Sequence, residues 1–370
     1  MRKYFFLILI FISNVHAETI ISDYREYDNI KEKIKIDQLS LKLNNPWGMT
    51  FVDDENLLVT EQNGNLFKIN INNEEKIKIS HNLKISPYNQ GGFLDVLYHN
   101  KNVYFTFTEN MSDGKNTTSV AYGLLDDKRI KNLKIIFRAK PYYNSSKHYG
   151  SRLSIKDGFL YISIGDRGRS SNGQDFQKHP GSIIRLNLDG TIPEDNPKFS
   201  FHDKWLEEIF QIGVRNPQGM TISPFDNNIY ISNHGPKGGD FIGKINKGGN
   251  YGWNDIGWGG MNYDSSIIGN GRPFDEKFDK PIISWVPSIA PSGIIFYDKD
   301  MFQDWKGDLL VSSLKFGRLL KIKFSNNKIQ KVENVVKFRN ARVRDIAIDK
   351  EGKIYLIFDN TNSPMIVISN

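Results

Sequence analysis

Arg152-Leu-Ser-Ile-Lys-Asp-Gly-Phe-Leu-Tyr-Ile-Ser163 carries the clearest structural signal in this 370-residue chain. Two short runs of β-forming residues flank Lys156-Asp-Gly, which is a typical sequence for a tight hairpin turn. The pattern predicts a pair of antiparallel strands, and similar pairs recur along the sequence. The six pairs have strands that begin at Gly48 and Asn56, Phe93 and Asn102, Arg152 and Phe159, Gly219 and Asn228, Gly293 and Asp308, and Arg344 and Lys353.

Further β-forming runs follow several of these pairs, at residues 65–69, 182–186 and 319–323. Each repeat therefore has about four strands, which is the size of a propeller blade. The sequence predicts an all-β fold, a six-bladed β-propeller with four-stranded antiparallel blades that occupies residues 18–370 as one domain. A plain β-sandwich is the structural alternative. Residues 205–210 are predicted to form a short helix in an insertion.

The N-terminus has the features of a secretory signal peptide. Met1-Arg-Lys is followed by the apolar run Tyr4–Ile12 and by Val15-His-Ala17. Residues 1–17 are therefore predicted to be a signal peptide that directs the protein to a periplasm, with no stable membrane insertion after cleavage. The apolar run is too short to span a bilayer comfortably, although an uncleaved anchor is the alternative. The absence of cysteine is compatible with export without disulfides.

The charge balance limits the range of partners. The formal net charge is +7, but the basic residues are dispersed and no dense Lys/Arg run is present. Nucleic acid is therefore not an expected partner. A basic balance remains compatible with an anionic small molecule.

The predicted hairpins bring particular side chains to one end of the central channel. In an antiparallel pair, the residue before the first strand lies beside the residue after the second strand. Loop residues held on a rigid scaffold in this way commonly form binding sites. The positions before first strands hold Gln90, His148, Arg215, Asn216, Arg342 and Arg344, and those after second strands hold Glu61, Asp166, His234, Lys237 and Lys315.

Two chemical features stand out among these residues. The cations Arg215, Lys315, Arg342 and Arg344 would suit a ligand with several carboxylates, because arginine binds a carboxylate through two parallel hydrogen bonds. Singly, each would be an ordinary surface charge. His148 and Asp166 belong to one predicted blade, and an aspartate beside a histidine can make it a general base. A hydrogen-bonded structural pair is the alternative interpretation.

An ordered series of motifs resembles the soluble PQQ-dependent aldose sugar dehydrogenases, a family that includes soluble glucose dehydrogenase. PQQ is pyrroloquinoline quinone. The resemblance covers nearly all of the chain from about Leu41 onward. It rests on Asn45-Pro-Trp-Gly, Gln90-Gly-Gly-Phe-Leu-Asp, His148-Tyr-Gly-Ser-Arg-Leu, Gly165-Asp-Arg-Gly, Arg215-Asn-Pro-Gln-Gly, His234-Gly-Pro-Lys-Gly-Gly-Asp, Asn250-Tyr-Gly-Trp, Pro287-Ser-Ile-Ala-Pro-Ser-Gly, Ser313-Leu-Lys and Arg342-Val-Arg-Asp.

The resemblance implies roles for individual residues. His148 would be the catalytic base, oriented by Asp166, and the backbone carbonyls of Gly235 and Pro236 would bind a calcium ion that touches PQQ. The implied cofactor-binding residues are Gln90, Arg215, Asn216, Lys315, Arg342 and Arg344.

The resemblance also implies a reaction. His148 would remove the proton of the anomeric hydroxyl of an aldose, and hydride would pass to the quinone. Calcium and Arg215 would stabilise the negative charge on the quinone oxygen. The product would be a lactone, and an external electron acceptor would reoxidise the cofactor.

Three positions depart from the family pattern. Asn233 stands where the family usually has Glu, Phe241 where it usually has an acidic residue, and Val214 where it usually has His. The first two changes put a second, structural calcium site in doubt, and the third is expected to alter the pocket lining. Two rival functions remain at this point: a non-catalytic sugar- or protein-binding propeller, and a calcium-dependent hydrolase of the lactonase type. The hydrolase would need several carboxylates around its ion.

Overall fold

The computed structural model describes residues 19–199, 204–325 and 328–370, and its regular secondary structure consists almost wholly of antiparallel strands. The predicted signal peptide, residues 1–17, lies outside the described residues. The strands are β1 (Ile20–Ser22), β2 (Lys35–Leu43), β3 (Pro46–Phe51), β4 (Asn56–Glu61), β5 (Leu66–Asn70), β6 (Lys76–Ile79), β7 (Phe93–His99), β8 (Asn102–Asn110), β9 (Asn116–Asp126), β10 (Arg129–Arg138), β11 (Gly150–Lys156), β12 (Phe159–Ile164), β13 (Ser182–Asn187), β14 (Ile209–Ile212), β15 (Pro217–Ile222), β16 (Ile229–Asn233), β17 (Asp240–Lys244), β18 (Ile283–Trp285), β19 (Pro291–Phe296), β20 (Leu309–Ser313), β21 (Arg318–Ser325), β22 (Lys328–Lys337), β23 (Val343–Ile348), β24 (Ile354–Phe358) and β25 (Ser363–Ser369).

These strands form six sheets, one for each repeat in the sequence. The first five blades are β3–β6, β7–β10, β11–β14, β15–β18 and β19–β22, each in chain order. The sixth blade combines β23, β24 and β25 with β2 from the other end of the chain. The predicted six-bladed propeller is therefore confirmed.

The pairing of β2 with β25 closes the ring. The two strands are antiparallel, with Lys35 opposite Ser369 and Leu43 opposite Ser363. This closure by strand pairing leaves no open edge between the first and the last blade. The fourth blade differs from the predicted four strands, because β1 adds a fifth strand parallel to β18.

The inner strands of the blades are β3, β7, β11, β15, β19 and β23, and each contacts the inner strands of both neighbouring blades. Apolar side chains fill the space between the faces of adjacent blades. Leu160 and Ile162 of β12, for example, are fully buried in a cluster with Val120 of the second blade. Burial of such side chains stabilises the fold by roughly 1.5–3 kcal/mol each.

The predicted helix at residues 205–210 is wrong. Trp205 and Leu206 lead through a turn into β14, whose residues Ile209–Ile212 are all buried. An apolar run of this length has the same composition in a short helix and in a buried strand. In the structure these residues pair with β13, so they form a strand. Within the described ranges, no helix is long and apolar enough to span a bilayer.

An ion triad joins the inner strands on the propeller axis. Arg152 Nη1 lies 3.0 Å from Asp95 Oδ1 and 3.0 Å from Asp345 Oδ2. The Arg152 Nε donates to the backbone carbonyl of Gln218 at 2.7 Å. The three charged residues belong to β7, β11 and β23, and Gln218 belongs to β15. The triad therefore connects four blades beneath one end of the central channel.

Candidate active site

A cavity of about 350 Å³ opens at the end of the channel where the second strands of the blades finish. Its walls come from loops of different blades, as the hairpin argument predicts. The floor includes Trp47, whose ring is covered by the Arg152 guanidinium at 4.3 Å. The lining residues are Trp47, Gln62, Asn89, Gln90, Tyr149, Gly150, Asn216, Gln218, His234, Ala290, Leu314, Arg342, Arg344 and Asp359.

His148 lies at the edge of this cavity, immediately before two of its lining residues. Its backbone N–H donates to Gln90 Oε1 at 2.9 Å. The backbone φ of His148 is +51°, a left-handed conformation that is uncommon for residues other than glycine. The chain also requires glycine at position 165, because a Cβ there would lie 2.3 Å from the His148 carbonyl oxygen. The local backbone conformation therefore fixes the position of the His148 Cβ, from which the imidazole extends.

The predicted pair of His148 and Asp166 forms in the structure. His148 Nδ1 lies 2.6 Å from Asp166 Oδ1. The same carboxylate accepts hydrogen bonds from the Gly168 N–H at 2.7 Å and from the Trp253 indole Nε1 at 2.8 Å. Burial opposes ionisation of Asp166, but the His148 hydrogen bond and the Arg215 charge hold its pKa below the usual value. Asp166 is thus a buried, fully hydrogen-bonded carboxylate.

Burial and the positive charge of Arg215 lower the pKa of His148, although Asp166 acts in the opposite direction. The imidazole is therefore neutral at neutral pH. Because an ionised carboxylate only accepts hydrogen bonds, Nδ1 carries the hydrogen and Nε2 keeps its lone pair. The side chain is 13% exposed. This is the state that a general base requires before it takes a proton.

Arg215 and Asn216 are held by the neighbouring Asn233. The Asn233 Oδ1 accepts from the backbone N–H groups of Arg215 at 3.1 Å and of Asn216 at 2.9 Å. The Arg215 guanidinium donates to the carbonyls of His234 at 3.3 Å and of Gly235 at 3.2 Å. Asn216 in turn accepts from the Gly150 N–H at 3.1 Å. The loop that carries both residues is therefore rigidly connected to the start of β11.

The wall opposite this loop carries Arg342 and Arg344. Both donate to Asp359 Oδ2, Arg342 through Nε at 3.0 Å and Arg344 through Nη2 at 2.7 Å. The Arg344 Nη1 also donates to Gln218 Oε1 at 2.9 Å. Burial lowers the pKa of Arg344, and its Nε has no hydrogen-bond partner in the part of the chain that the structure describes. A buried N–H without a partner beside a cavity fits an anionic ligand that carries carboxylates.

Three predicted positions differ from expectation. Arg344 is the second residue of β23 rather than a residue before it, because pairing with β24 begins at Val343. Lys315 follows β20 at the expected end of the propeller, but its side chain is exposed. Its Nζ lies 5.2 Å from the Phe316 ring centroid, and the residue is not part of the cavity lining. Arg215 is buried and is not part of the lining either, whereas Gln90, Asn216, Arg342 and Arg344 do line the cavity.

Gly235 and Pro236, the predicted calcium ligands, form the turn between β16 and β17. The Asp240 carboxylate anchors this turn by accepting from the Gly235 N–H at 2.8 Å. Neutral backbone carbonyls of this kind suit calcium. Among the described residues there is no group of three or more acidic, histidine or cysteine side chains that could hold a metal ion. A calcium ion here would therefore depend on negative charge from a bound ligand.

Comparison with known proteins agrees with this geometry. The family model described as glucose / sorbosone dehydrogenase matches residues 43–367. The chain belongs to the glucose/sorbosone dehydrogenase family. The aldose sugar dehydrogenase YliI of Escherichia coli is 30% identical over 346 residues, which cover 91% of this chain and 93% of that protein. The quinoprotein glucose dehydrogenase B of Acinetobacter calcoaceticus is 28% identical over 291 residues, with 59% and 60% covered.

A solved structure gives the same assignment. The crystal structure of the soluble aldose sugar dehydrogenase of Escherichia coli in the apo-form has a TM-score of 0.84 to this chain at 30% identity, covering 91% of this chain and 99% of that chain. The resemblance inferred from the motifs is thus confirmed at the level of the family. Membership and these relatives support the function of a sugar dehydrogenase, an oxidoreductase acting on sugars.

Two of the three departures of this member of the glucose/sorbosone dehydrogenase family have a structural explanation. Val214 and Phe241 are buried in one apolar cluster between blades, together with Tyr251. The expectation that Val214 alters the pocket lining is therefore wrong. The Val214 side chain is buried in the core, and Val214 and Phe241 belong to the same apolar cluster.

Two residues of the site, Asp359 and Trp253, were not predicted from the sequence. Asp359 follows β24 directly, so the rule that found Asp166 could have found it as well. Trp253 lies in the long connection between β17 and β18, outside any hairpin, and strand periodicity gives no signal for it. Its place in the Asn250-Tyr-Gly-Trp motif was the available clue.

Proposed function

We propose that this protein is a PQQ- and calcium-dependent aldose sugar dehydrogenase that oxidises the anomeric carbon of its substrate to a lactone. One observation carries the proposal: a neutral His148 stands at the edge of a cavity whose wall holds Arg344, and among the described residues neither His148 Nε2 nor Arg344 Nε has a hydrogen-bond partner. The quinoprotein among the relatives supports the choice of cofactor. The N-terminal sequence supports export to the periplasm, with residues 1–17 as the signal peptide.

The residues that would hold PQQ are those that suit its carboxylates. Arg342 and Arg344 would bind them from one wall, and Gln90 and Asn216 would border the cofactor from the other. Lys315 has the reach to join this set from outside the present lining. When bound, PQQ supplies a two-electron acceptor for hydride, and an external electron acceptor must reoxidise it.

The protein's own groups perform the proton chemistry. His148 Nε2 takes the proton of the anomeric hydroxyl, and the negative charge of Asp166 stabilises the imidazolium that forms. Asp166 also fixes the ring orientation through Nδ1. Arg215 adds a positive charge near His148, where it lowers the pKa of the imidazole and favours negative charge on the reacting atoms. Calcium would bind the carbonyls of Gly235 and Pro236 together with the cofactor.

The first test is reconstitution. Purified protein mixed with PQQ and calcium is expected to reduce an artificial dye when an aldose is added. His148→Gln should lower kcat by about 100-fold or more, because the proton acceptor is lost. Absorbance of bound PQQ should show that the variant still takes up the cofactor.

His99→Gln is a matched control, since His99 ends β7 at the opposite face of the propeller. An unchanged rate in His148→Gln would remove His148 from the mechanism. If no aldose supports dye reduction at saturating PQQ and calcium, the enzyme proposal fails in favour of a binding propeller.

A further inference from the structure

We propose that a second, basic cleft beside His148 binds an anionic group of the substrate, so that the preferred sugars carry a carboxylate or a phosphate remote from the anomeric carbon. The basic cleft is formed by Lys147, Arg167 and Arg169 with Tyr88, Asn144 and Ser146, and it has a volume of about 350 Å³. The inference rests on the proposed function, because it assigns the substrate class of the same site.

Arg167 is a buried cation without a carboxylate partner. Its guanidinium donates to the carbonyls of Lys147 at 2.6 Å and Ser145 at 2.7 Å, and also to Asn116 Oδ1. It stacks 3.5 Å from the Tyr149 ring centroid. All these partners are neutral, and within the described residues Arg167 forms no ion pair. Buried charges are normally paired, but this guanidinium has only the longer-range attraction of the neighbouring Asp166, so it adds positive charge to the wall of the cleft.

The other two cations of the basic cleft are exposed and equally unpaired. Neither Lys147 nor Arg169 forms an ion pair with any residue in the described ranges, and Arg169 lies 4.8 Å from the Tyr143 ring centroid. No carboxylate is among the residues that line the cleft. Asp166, which immediately precedes Arg167 in the sequence, directs its oxygens to His148, Gly168 and Trp253 instead.

The basic cleft adjoins the reacting end of the proposed substrate. Lys147 lines the cleft and Tyr149 lines the cavity, so His148 separates the two along the chain. The Arg167 backbone N–H donates to the His148 carbonyl at 3.3 Å, which joins the cleft wall to the base. A sugar whose anomeric hydroxyl lies at His148 can extend its far end towards these cations. Hydroxyl and amide groups of Ser146 and Asn144 can bind the remaining oxygens of an anionic group.

The test compares three sugars that differ at the carbon farthest from the anomeric centre: glucose, glucuronate and glucose 6-phosphate. Reconstituted protein at low ionic strength should show a kcat/KM about fivefold to tenfold higher for the preferred anionic sugar than for glucose. The two anionic sugars distinguish a carboxylate site from a phosphate site. Added salt should reduce the preference, because it screens exposed charges.

The double variant Lys147→Gln/Arg169→Gln should bring the ratio of anionic to neutral kcat/KM close to one. Arg167 is left intact, since its stacking and hydrogen bonds hold the loop. Lys101→Gln is the matched control, because Lys101 lies in the β7–β8 turn at the opposite face, and it should keep the wild-type ratio. A wild-type ratio of one, or a preference that survives in the double variant, would overturn the proposal.

A second readout does not depend on turnover. Saturation-transfer NMR on the protein without added PQQ should detect glucuronate or glucose 6-phosphate binding that the double variant loses. If none of the three sugars is oxidised, the proposed function fails, and this binding measurement alone then decides whether the basic cleft takes anionic sugars.

Discussion

Trp253 connects the proposed base to the cationic part of the site. Its indole N–H donates to Asp166 Oδ2 at 2.8 Å, and Arg215 lies 5.5 Å from its ring centroid. The backbone of Trp253 is itself fixed, because its N–H donates to Gly213 at 3.0 Å and its carbonyl accepts from Gln174 at 2.9 Å. Trp253 is therefore a positioning residue that acts on His148 through Asp166.

The variant Trp253→Phe is expected to raise the pKa of His148. Asp166 loses one of its hydrogen-bond donors and becomes a stronger acceptor for the imidazolium, which favours the protonated form. The acid limb of kcat/KM should move to higher pH by several tenths of a unit to about one unit. NMR titration of histidine labelled at Cε1, on protein without cofactor, measures the same pKa directly.

Trp258→Phe supplies the control for this prediction. Trp258 is also buried, but its indole N–H donates to the Tyr251 carbonyl at 2.9 Å. It should leave the His148 titration where it is. A His148 titration that does not move in Trp253→Phe would make the Trp253 hydrogen bond a purely structural contact.

The site could be predicted where a side chain sits next to a regular hairpin. His148 and Asp166 flank β11 and β12, so antiparallel geometry alone brings them together. The backbone of Lys315 also lies at the predicted end of the propeller. Its long, flexible side chain is in an exposed loop, however, and strand geometry does not determine its direction. Trp253 comes from an irregular connection, whose path depends on packing that no local pattern encodes.

Strands differ in how well their sequences announce them. The two inner strands of each blade are largely buried and, except for β19 and β20, are joined by short turns. They therefore stand out as repeated apolar runs, such as those around Leu153 and Leu160. The sequence of strand β2 resembles a mixed polar segment, since six of its nine residues, including Lys35 and Ile36, are exposed. Its membership of the sixth blade depends on a partner more than 300 residues away, which no local signal reveals.

The junction between β2 and β25 should control the stability of the ring. The double substitution Lys35→Cys/Ser369→Cys places two thiols at directly paired positions in a chain that has no other cysteine. The oxidised protein is expected to be more stable by about 3–5 kcal/mol, because the bond closes a loop of most of the chain. Thermal unfolding with and without reductant measures the difference.

A bond within a single hairpin provides the comparison. Asp126→Cys/Arg129→Cys joins paired residues of β9 and β10 that are close in sequence, so it restricts the unfolded chain much less. An equal gain in both proteins would mean that the junction between the chain ends is not the weak point of the ring.

Three inner strands, β7, β11 and β23, meet at the triad of Asp95, Arg152 and Asp345. The variant Arg152→Met should lower the free energy of unfolding by about 3–5 kcal/mol, because it leaves two buried carboxylates without their cation. The triple variant Asp95→Asn/Arg152→Met/Asp345→Asn should recover part of this loss. Urea unfolding followed by tryptophan fluorescence measures all three proteins.

The loss in Arg152→Met should also depend on pH. Burial raises the pKa of Asp95 to about 6, while Arg152 opposes the shift, and burial likewise raises the pKa of Asp345. A carboxyl with a raised pKa in the folded state stabilises it at low pH and loses that contribution as pH rises through the folded pKa. Removing Arg152 raises both pKa values further, so the deficit should be larger at pH 8 than at pH 5. A deficit that is the same at both values would contradict this account of the triad.

The pairing of β2 with β25 has a consequence for biosynthesis. The ribosome makes the outermost strand of the sixth blade before any complete blade, and it makes the other three strands of that blade last. A nascent chain can assemble five blades while the sixth blade is still incomplete. The backbone hydrogen-bonding groups of β2 then have no partner strand. Premature termination anywhere before Ser363 would therefore leave a molecule that quality-control proteases can distinguish from the finished one.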